Sequence, residues 1–496
     1  MKRTIPLLLV LSLFASACGE DGPVEGVMEA VGLSENVDVE APPAPASVDD
    51  VIDQLDADGF NGIVLIDEAG RLRVDPLGSA DGPDGPPIDE NTVFDIGSIT
   101  KQFTGAAILR LQMDGALTVQ DRLSDHLLGV EGPLADVTLH QLLTHTAGLP
   151  DAIGDDYEAL DRGAFIERAA GQVDPTGPFR YSNVGYSLLG MVIESASGVG
   201  YEQYLRDVFF DPLDMDATGY VLADHASMTV AAGYVEGERL GVPNELEWAD
   251  DGPWWNLRAN GGMLSSAADM RRWSRALDEG TALDEEATAA LFARHVEEGP
   301  GAGSFYGYGW VSFPTGDGRW FHGHNGGNGV FFADILRLPD DDSMIFVATN
   351  TAGADEDAAF RIAEVLVDGG VGAGCLPPLD PTGHQPVDDF SDSDAGETAR
   401  AMVEIILEGD DEARRRFVDA HVSEALAQGL SPAEQVSELA LLQEEFVGYT
   451  VDMIHVEDEW RSHVTLTSTD APPVMVSIVV DRDAPELVAC LHIEVS

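Results

Sequence analysis

From Gly369 to about Glu397 the sequence turns to Gly, Pro and Asp, with none of the apolar periodicity seen on either side. No hydrophobic core runs through such a stretch, so the chain is expected to fold as separate units joined by a linker. We place that linker at 371–396, with one domain over 50–370 and another over 397–496. In the first, Ile63–Ile66 and Leu72–Val74 read as a β-hairpin around Asp67-Glu68-Ala69-Gly70-Arg71. Ser98 to Met113 carries Phe103, Ala107, Ile108 and Leu111 at helical spacing. Further helices are predicted near Leu139–Thr144, Val184–Ser197, Tyr201–Val208 and Ser266–Leu277. Strands are expected at Trp320–Phe321, Val330–Leu338 and Ser343–Asn350. The acidic run Pro339-Asp340-Asp341-Asp342 between the last two reads as a tight turn and not as a metal site. In the last hundred residues, helices at Glu397–Glu408, Glu412–Val418 and from Ser431-Pro432-Ala433-Glu434 come first. Strands near Tyr449–Ile454, His463–Thr467, Val474–Val480 and Val488–Val495 follow, which is the order of a small α+β domain.

Charge excludes whole classes of function. Asp+Glu number 89 against 26 Lys+Arg, a formal net charge of −63. A field of that sign repels phosphate backbones and anionic lipid surfaces, so nucleic-acid binding is excluded. With 44% hydrophobic residues and three cysteines, the chain is neither globally disordered nor a disulfide framework.

At the N-terminus, Lys2 and Arg3 precede the apolar run Ile5–Phe14 and then Ala15-Ser16-Ala17-Cys18. This is the layout of a secretory signal, and the run is too short to span a bilayer. Cys18 after small residues resembles the bacterial lipoprotein signal, although Ala15 stands where an aliphatic residue is usual. Ala15-Ser16-Ala17 also suits ordinary cleavage. Lipidation of Cys18 is favoured, because cysteine is so rare elsewhere. An exported chain, lipid-anchored at the cell envelope on its periplasmic side, is the expectation, with residues 1–18 as signal and 19–49 as a disordered tether. No other run of 18 apolar residues exists. Cys375 and Cys490 remain, and whether they pair is left open.

Only Lys2 and Lys101 are lysine; the other 24 basic residues are arginine. Lys101 stands three residues after Ser98, one helical turn away on the same face. The positions around it on that face, Gly97, Ser98, Thr104 and Gly105, include no acid, so it reads as packed and not solvated. Burial lowers a lysine's pKa and makes a general base, a role closed to arginine. Ser98, at a helix N-terminus, would be the nucleophile of a Ser-Lys pair. Ser-x-x-Lys also occurs by chance in many proteins; the scarcity of lysine is what singles this one out.

Phe94-Asp95-Ile96-Gly97-Ser98-Ile99-Thr100-Lys101-Gln102-Phe103 resembles the active-site segment of the serine β-lactamase and penicillin-binding-protein superfamily. The branch it is most similar to holds class C β-lactamases, DD-peptidases and esterases. Leu142-Leu143-Thr144-His145-Thr146-Ala147-Gly148-Leu149-Pro150 is similar to a loop of that branch, Tyr181-Ser182-Asn183 to its Tyr-x-Asn motif, and His324-Asn325-Gly326 to its third motif as His-x-Gly. The similarity runs from about Ala57 to Asp368. Asn260-Gly261-Gly262-Met263 and Tyr306-Gly307-Tyr308-Gly309-Trp310 are also recognisable within it.

The resemblance implies an α/β (α+β) fold, an antiparallel sheet flanked by helices plus a mostly helical subdomain. It implies that Ser98 forms an acyl-enzyme, that Lys101 takes or relays its proton and holds the Tyr181 oxygen in its anionic or strongly polarised form, and that Tyr181 protonates the leaving group and helps activate the deacylating water. Asn183 would orient substrate and Lys101. The oxyanion would lie between the N–H groups of Ser98 and Gly327, and His324, Gly326 and Gly327 would meet substrate. Penicillinases usually carry lysine where His324 stands, which fixes a ligand carboxylate; histidine is less certainly charged.

The expected function is an exported serine hydrolase acting through an acyl-enzyme on a small peptide or ester substrate, without cofactor or metal. The alternatives are a β-lactamase, or a non-catalytic ligand-binding lipoprotein on the same fold. His145 reads as a loop hydrogen-bonder, His322 as a satisfied strand histidine, and Trp254-Trp255 as a pocket wall. The C-terminal unit resembles the nuclear-transport-factor-like α+β cones appended to such hydrolases.

Overall fold

The structure is a computed structural model. It describes residues 47–367 except 84, 174–178, 236, 244–247, 299–302 and 316–318. Further on it describes 394–408, 411–421, 435–436, 439–440, 446, 449–456, 461–467, 474–480 and 488–495. The signal-like segment with Cys18, the tether up to residue 46, Cys375 and the Ser431–Glu434 helix start lie outside the described residues. Two units are distinguished, Ser47–Gly374 and one that holds Cys375–Ser496.

An eight-stranded antiparallel sheet organises the first unit. Its strands are β1 (Gly62–Glu68), β2 (Arg71–Leu77), β3 (Val296–Glu297), β4 (Phe305–Tyr306), β5 (Val311–Pro314), β6 (Trp320–Gly327), β7 (Phe332–Leu338) and β8 (Ser343–Thr349). They lie in the order β2-β1-β8-β7-β6-β5-β4-β3. The β1–β2 hairpin turns on Ala69 and Gly70, both with positive φ, and is tighter than the five-residue loop expected from sequence. Strand β6 extends to Gly327, well past the expected Phe321. This extension carries the His-x-Gly segment along the sheet and not in a loop. The Pro339–Asp342 run is the expected turn, in which Asp341 pairs with Arg319 and Asp342 with Arg275.

Alternation along β1 separates two cores. Ile63 and Leu65 face one, Val64 and Ile66 the other, as strand geometry requires. The second core is closed by α1 (Val48–Ala57), which contributes Val51, Ile52 and Leu55, and by a late helix, Ala358–Leu366, which contributes Ile362. The first and larger core lies beneath the helices. Among these is α2 (Thr100–Met113), entered through a 3₁₀ turn at Gly97–Ile99. Thr100 to Leu109 are buried without a break, so over these residues the helix has no solvent-facing side. Phe103 packs edge-on to Phe210 at 5.1 Å and tilted against Trp273 at 4.9 Å. The helix α3 (Asn183–Ser197) starts at Ser182, whose hydroxyl accepts from the Gly185 N–H at 3.1 Å, and ends at Gly198 in the left-handed region.

In the second unit, helices α4 (Asp394–Glu408) and α5 (Asp411–His421) precede strands β9 (Thr450–Val456), β10 (Arg461–Thr467), β11 (Val474–Val480) and β12 (Val488–Val495). The strands form an antiparallel meander in chain order. Its core joins Met402, Ile406 and Phe417 to Val464, Leu466, Val476 and Ile478. The first of these helices begins at Asp394, inside the stretch read from composition as linker.

Candidate active site

From Thr92 to Leu109 every residue is buried except Ser98. The turn that exposes it demands glycine at Gly97, which has φ +47°, and leaves no space there: a Cβ would stand 2.6 Å from the Gly327 nitrogen. Gly326 is equally confined, since a Cβ on it would lie 2.4 Å from the Ser98 nitrogen and 2.2 Å from the Ile96 oxygen. The backbone of β6 therefore runs directly against the serine turn. Gly326, which is buried, acts as the spacer for this approach. Gly327, one residue on, is exposed. The buried carboxyl of Asp95 ties the two segments together, accepting from the Gly97 N–H at 2.8 Å and from Asn328 Nδ2 at 3.0 Å. Burial lifts that carboxyl to about 6.

Lys101 is completely buried. Its Nζ lies 3.0 Å from Ser98 Oγ, 2.6 Å from Asn183 Oδ1 and 2.8 Å from the Asn260 carbonyl oxygen. Burial brings its pKa down to about 7, against the opposing pull of Asp151 and Asp156. Near neutrality a large share of the amine is uncharged. An uncharged amine has two N–H donors and one lone pair. Asn183 Oδ1 and the Asn260 carbonyl can only accept, so they take the two donors and leave the lone pair for the Ser98 hydroxyl proton. Asn183 is fixed in turn, its Nδ2 donating to Asp151 Oδ1 at 2.9 Å.

Tyr181 stands beside this pair with its ring centroid 4.7 Å from Lys101 Nζ. The expected hydrogen bond from Lys101 to the Tyr181 oxygen is not formed, because the amine's three partners are Ser98, Asn183 and Asn260. The Tyr181 hydroxyl is out of solvent and has no aligned hydrogen bond. Burial holds its pKa well above the usual tyrosine value, with Ser98 as the neighbour that eases ionisation. The phenol is thus protonated throughout the neutral range, and not the anion that the resemblance implies.

His324 differs from expectation. It is buried, with Nε2 accepting from the Tyr306 hydroxyl at 3.0 Å and Nδ1 donating to the Asn325 carbonyl at 2.6 Å. Burial, reinforced by Lys101, takes it down to about 3, so it is neutral. Both nitrogens serve the protein and offer no charge to a ligand. His322 is a strand histidine bonded to Ser312 Oγ at 2.9 Å. Trp255 is buried in the core, stacked with the Arg258 guanidinium at 4.9 Å, and is not a pocket wall.

His145 has φ +58°, a left-handed conformation that costs a residue other than glycine roughly 1–2 kcal/mol. It is buried; its carbonyl accepts from the Arg180 N–H at 2.9 Å and its Nδ1 from the Ser182 N–H at 3.0 Å. The imidazole lies 4.3 Å from the Tyr181 ring and 4.4 Å from that of Tyr306. Burial keeps it far below the ordinary histidine range.

Three acids near the site carry no sequence signal of their own. Asp151 holds Asn183. Glu298, within electrostatic reach of Tyr181, is raised to about 7 by burial. The solvent-exposed Asp156 lies within electrostatic reach of Lys101. Asn260 lies in a segment that the sequence makes recognisable, but its contribution is a backbone carbonyl. Among the described residues no cluster of His, Cys, Asp and Glu is arranged to hold a metal ion.

The unit that carries this arrangement has counterparts among known proteins. The β-lactamase family model matches residues 48–368, and the chain belongs to that family. Membership brings serine acyl-transfer chemistry of the kind shared by β-lactamases and penicillin-binding proteins. Penicillin-binding protein 4* of Bacillus subtilis (strain 168) is 28% identical over 335 residues, covering 62% of this chain and 73% of that one. The crystal structure of a penicillin binding protein from Bacillus halodurans matches with a TM-score of 0.54 and 27% identity, over 64% of this chain and 100% of that one. The octameric penicillin-binding protein homologue from Pyrococcus abyssi shares the fold, with a TM-score of 0.60 at 21% identity over 87% of this chain and 95% of that one.

Proposed function

We propose that the chain is an exported serine hydrolase that cleaves ester or peptide carbonyls through an acyl-enzyme on Ser98. The observation that carries this reading is the set of partners around the Lys101 amine. Ser98 Oγ attacks the carbonyl carbon as its proton passes to the Lys101 lone pair. The carbonyl electron pair moves onto oxygen, which the N–H groups of Ser98 and Gly327 receive. Collapse expels the leaving group, which takes a proton from Tyr181; the Lys101 proton returns to the phenol. Water then enters along the same path in reverse and releases the acid.

The neutral His324 favours esters and peptides over β-lactams, since a β-lactam's carboxylate gains no cation at that position. It also disfavours peptides whose free carboxylate would lie there. Export and a lipid anchor at Cys18 rest on the N-terminal sequence alone. The 397–496 unit is an accessory domain in this reading.

A fluorophosphonate probe followed by peptide mapping tests the proposal. Labelling at Ser98 in the native chain but not in Lys101→Arg supports it. No acylation of Ser98 by fluorophosphonate, activated ester or penicillin refutes it in favour of a binding protein. Short-chain esters, D-Ala-D-Ala peptides and nitrocefin assayed side by side then rank the substrate classes.

A further inference from the structure

His145 touches the segment that carries Tyr181 at two points, one on each side. Its carbonyl holds the N–H of Arg180 and its imidazole Nδ1 holds the N–H of Ser182. Both bonds come from a single residue turned into the left-handed region. The same imidazole lies against the phenol ring at 4.3 Å. Ser182 is meanwhile fixed by its own hydroxyl, which donates to the Pro150 carbonyl at 2.7 Å and caps α3. Tyr181 is thus gripped through its two neighbours and its ring face, while its hydroxyl forms no aligned bond.

We propose that His145 is a positioning residue that holds the Tyr181 phenol where it can pass a proton to the departing group, without itself touching substrate. The inference rests on the acyl-enzyme reading and adds a division of labour to it. Nucleophile activation belongs to Ser98 and Lys101, whose hydrogen bonds go to partners other than His145. Leaving-group protonation belongs to Tyr181, which it does. Because Nδ1 must accept, the imidazole has to be the neutral tautomer with its proton on Nε2. The groups facing Tyr181 and His145 are Lys101, Tyr186, Tyr306, His324, Asp151 and Glu298.

The division of labour predicts a signature that general loosening would not produce. An alkyl ester or amide needs its leaving group protonated, whereas p-nitrophenoxide departs unaided. His145→Leu keeps the volume and removes the acceptor. It should lower kcat on alkyl esters by about 10–100-fold, a part of what a general acid supplies. Its acylation rate on p-nitrophenyl esters, read as the burst of p-nitrophenol, and its fluorophosphonate labelling rate at Ser98 should stay within about threefold of the native values. His145→Asn places an amide oxygen near Nδ1 and tolerates the left-handed backbone, so it should recover most of the alkyl-ester rate. If His145→Leu does not fold, His145→Gly reads the same contrast without backbone strain. Equal losses in acylation rate on both ester classes, no loss on either, or no recovery by His145→Asn would overturn the inference. Failure of the native chain to acylate at all would instead strike at the hydrolase reading.

Discussion

The Asn260 carbonyl oxygen lies 2.8 Å from the Lys101 amine. A carbonyl accepts and never donates, so it commits one N–H of that amine permanently. Asn183 Oδ1 commits a second at 2.6 Å. What remains faces Ser98, as a third N–H when the amine is charged and as a lone pair when it is not. The same contacts therefore serve two protonation states, and only one of them is a base.

The acid limb of kcat/KM follows from this. With the folded-state pKa near 7, lowering the pH through 7 protonates the amine and should reduce activity about tenfold per unit below it. A pH–rate profile on a neutral ester measures the limb. Glu298 also titrates near 7, and Glu298→Gln should leave the limb in place.

Lys101→Arg should lower turnover by at least about 10³-fold, because a guanidinium cannot give up its proton to become the base. Ser98→Ala should abolish acyl-enzyme formation altogether. Mass spectrometry of the protein after an activated-ester pulse reads both.

Gly326→Ala forces a methyl toward the Ser98 nitrogen and the Ile96 oxygen, both backbone atoms. We expect displacement of the oxyanion-binding backbone and a loss of about 10²–10³ in kcat. Overpacking should add a stability loss of about 1–3 kcal/mol, read by chemical denaturation.

Much of this site is legible in the amino-acid sequence. Lysine's near absence pointed to Lys101, and its neighbours on the helix face implied burial. The ordered segments around Ser98, Tyr181 and His324 gave the fold. What escaped was whatever depends on contacts between distant parts of the chain. A backbone carbonyl 159 residues from Lys101 leaves no compositional trace. The neutrality of His324 follows from its burial and from Lys101 nearby, and His-x-Gly alone cannot specify a charge state. The burial of Trp255 is likewise tertiary, since one helix-sized loop with two tryptophans fits a pocket or a core equally.

Asp334, on β7 directly across from Asn325, is buried with its Oδ2 unpartnered. Burial raises its carboxyl to about 8, with Asp357 adding and the Ile335 N–H opposing. The folded state then holds a proton that the unfolded chain releases above about pH 4. Stability contributed by this group is fully present below pH 4 and is lost as the pH rises through 8. Asp334→Asn cannot ionise, so its stability relative to the native chain should climb between pH 5 and 9. Denaturation midpoints at both pH values check the slope.

The single opening at Ser98 in an otherwise sealed run has an analytical consequence. Thr100 and Thr104, the hydroxyls nearest in sequence, are closed to solvent. A reactive ester reaching this turn from outside meets one oxygen, so the burst of released chromophore should count competent molecules one for one. The protein would then serve as its own active-site titrant.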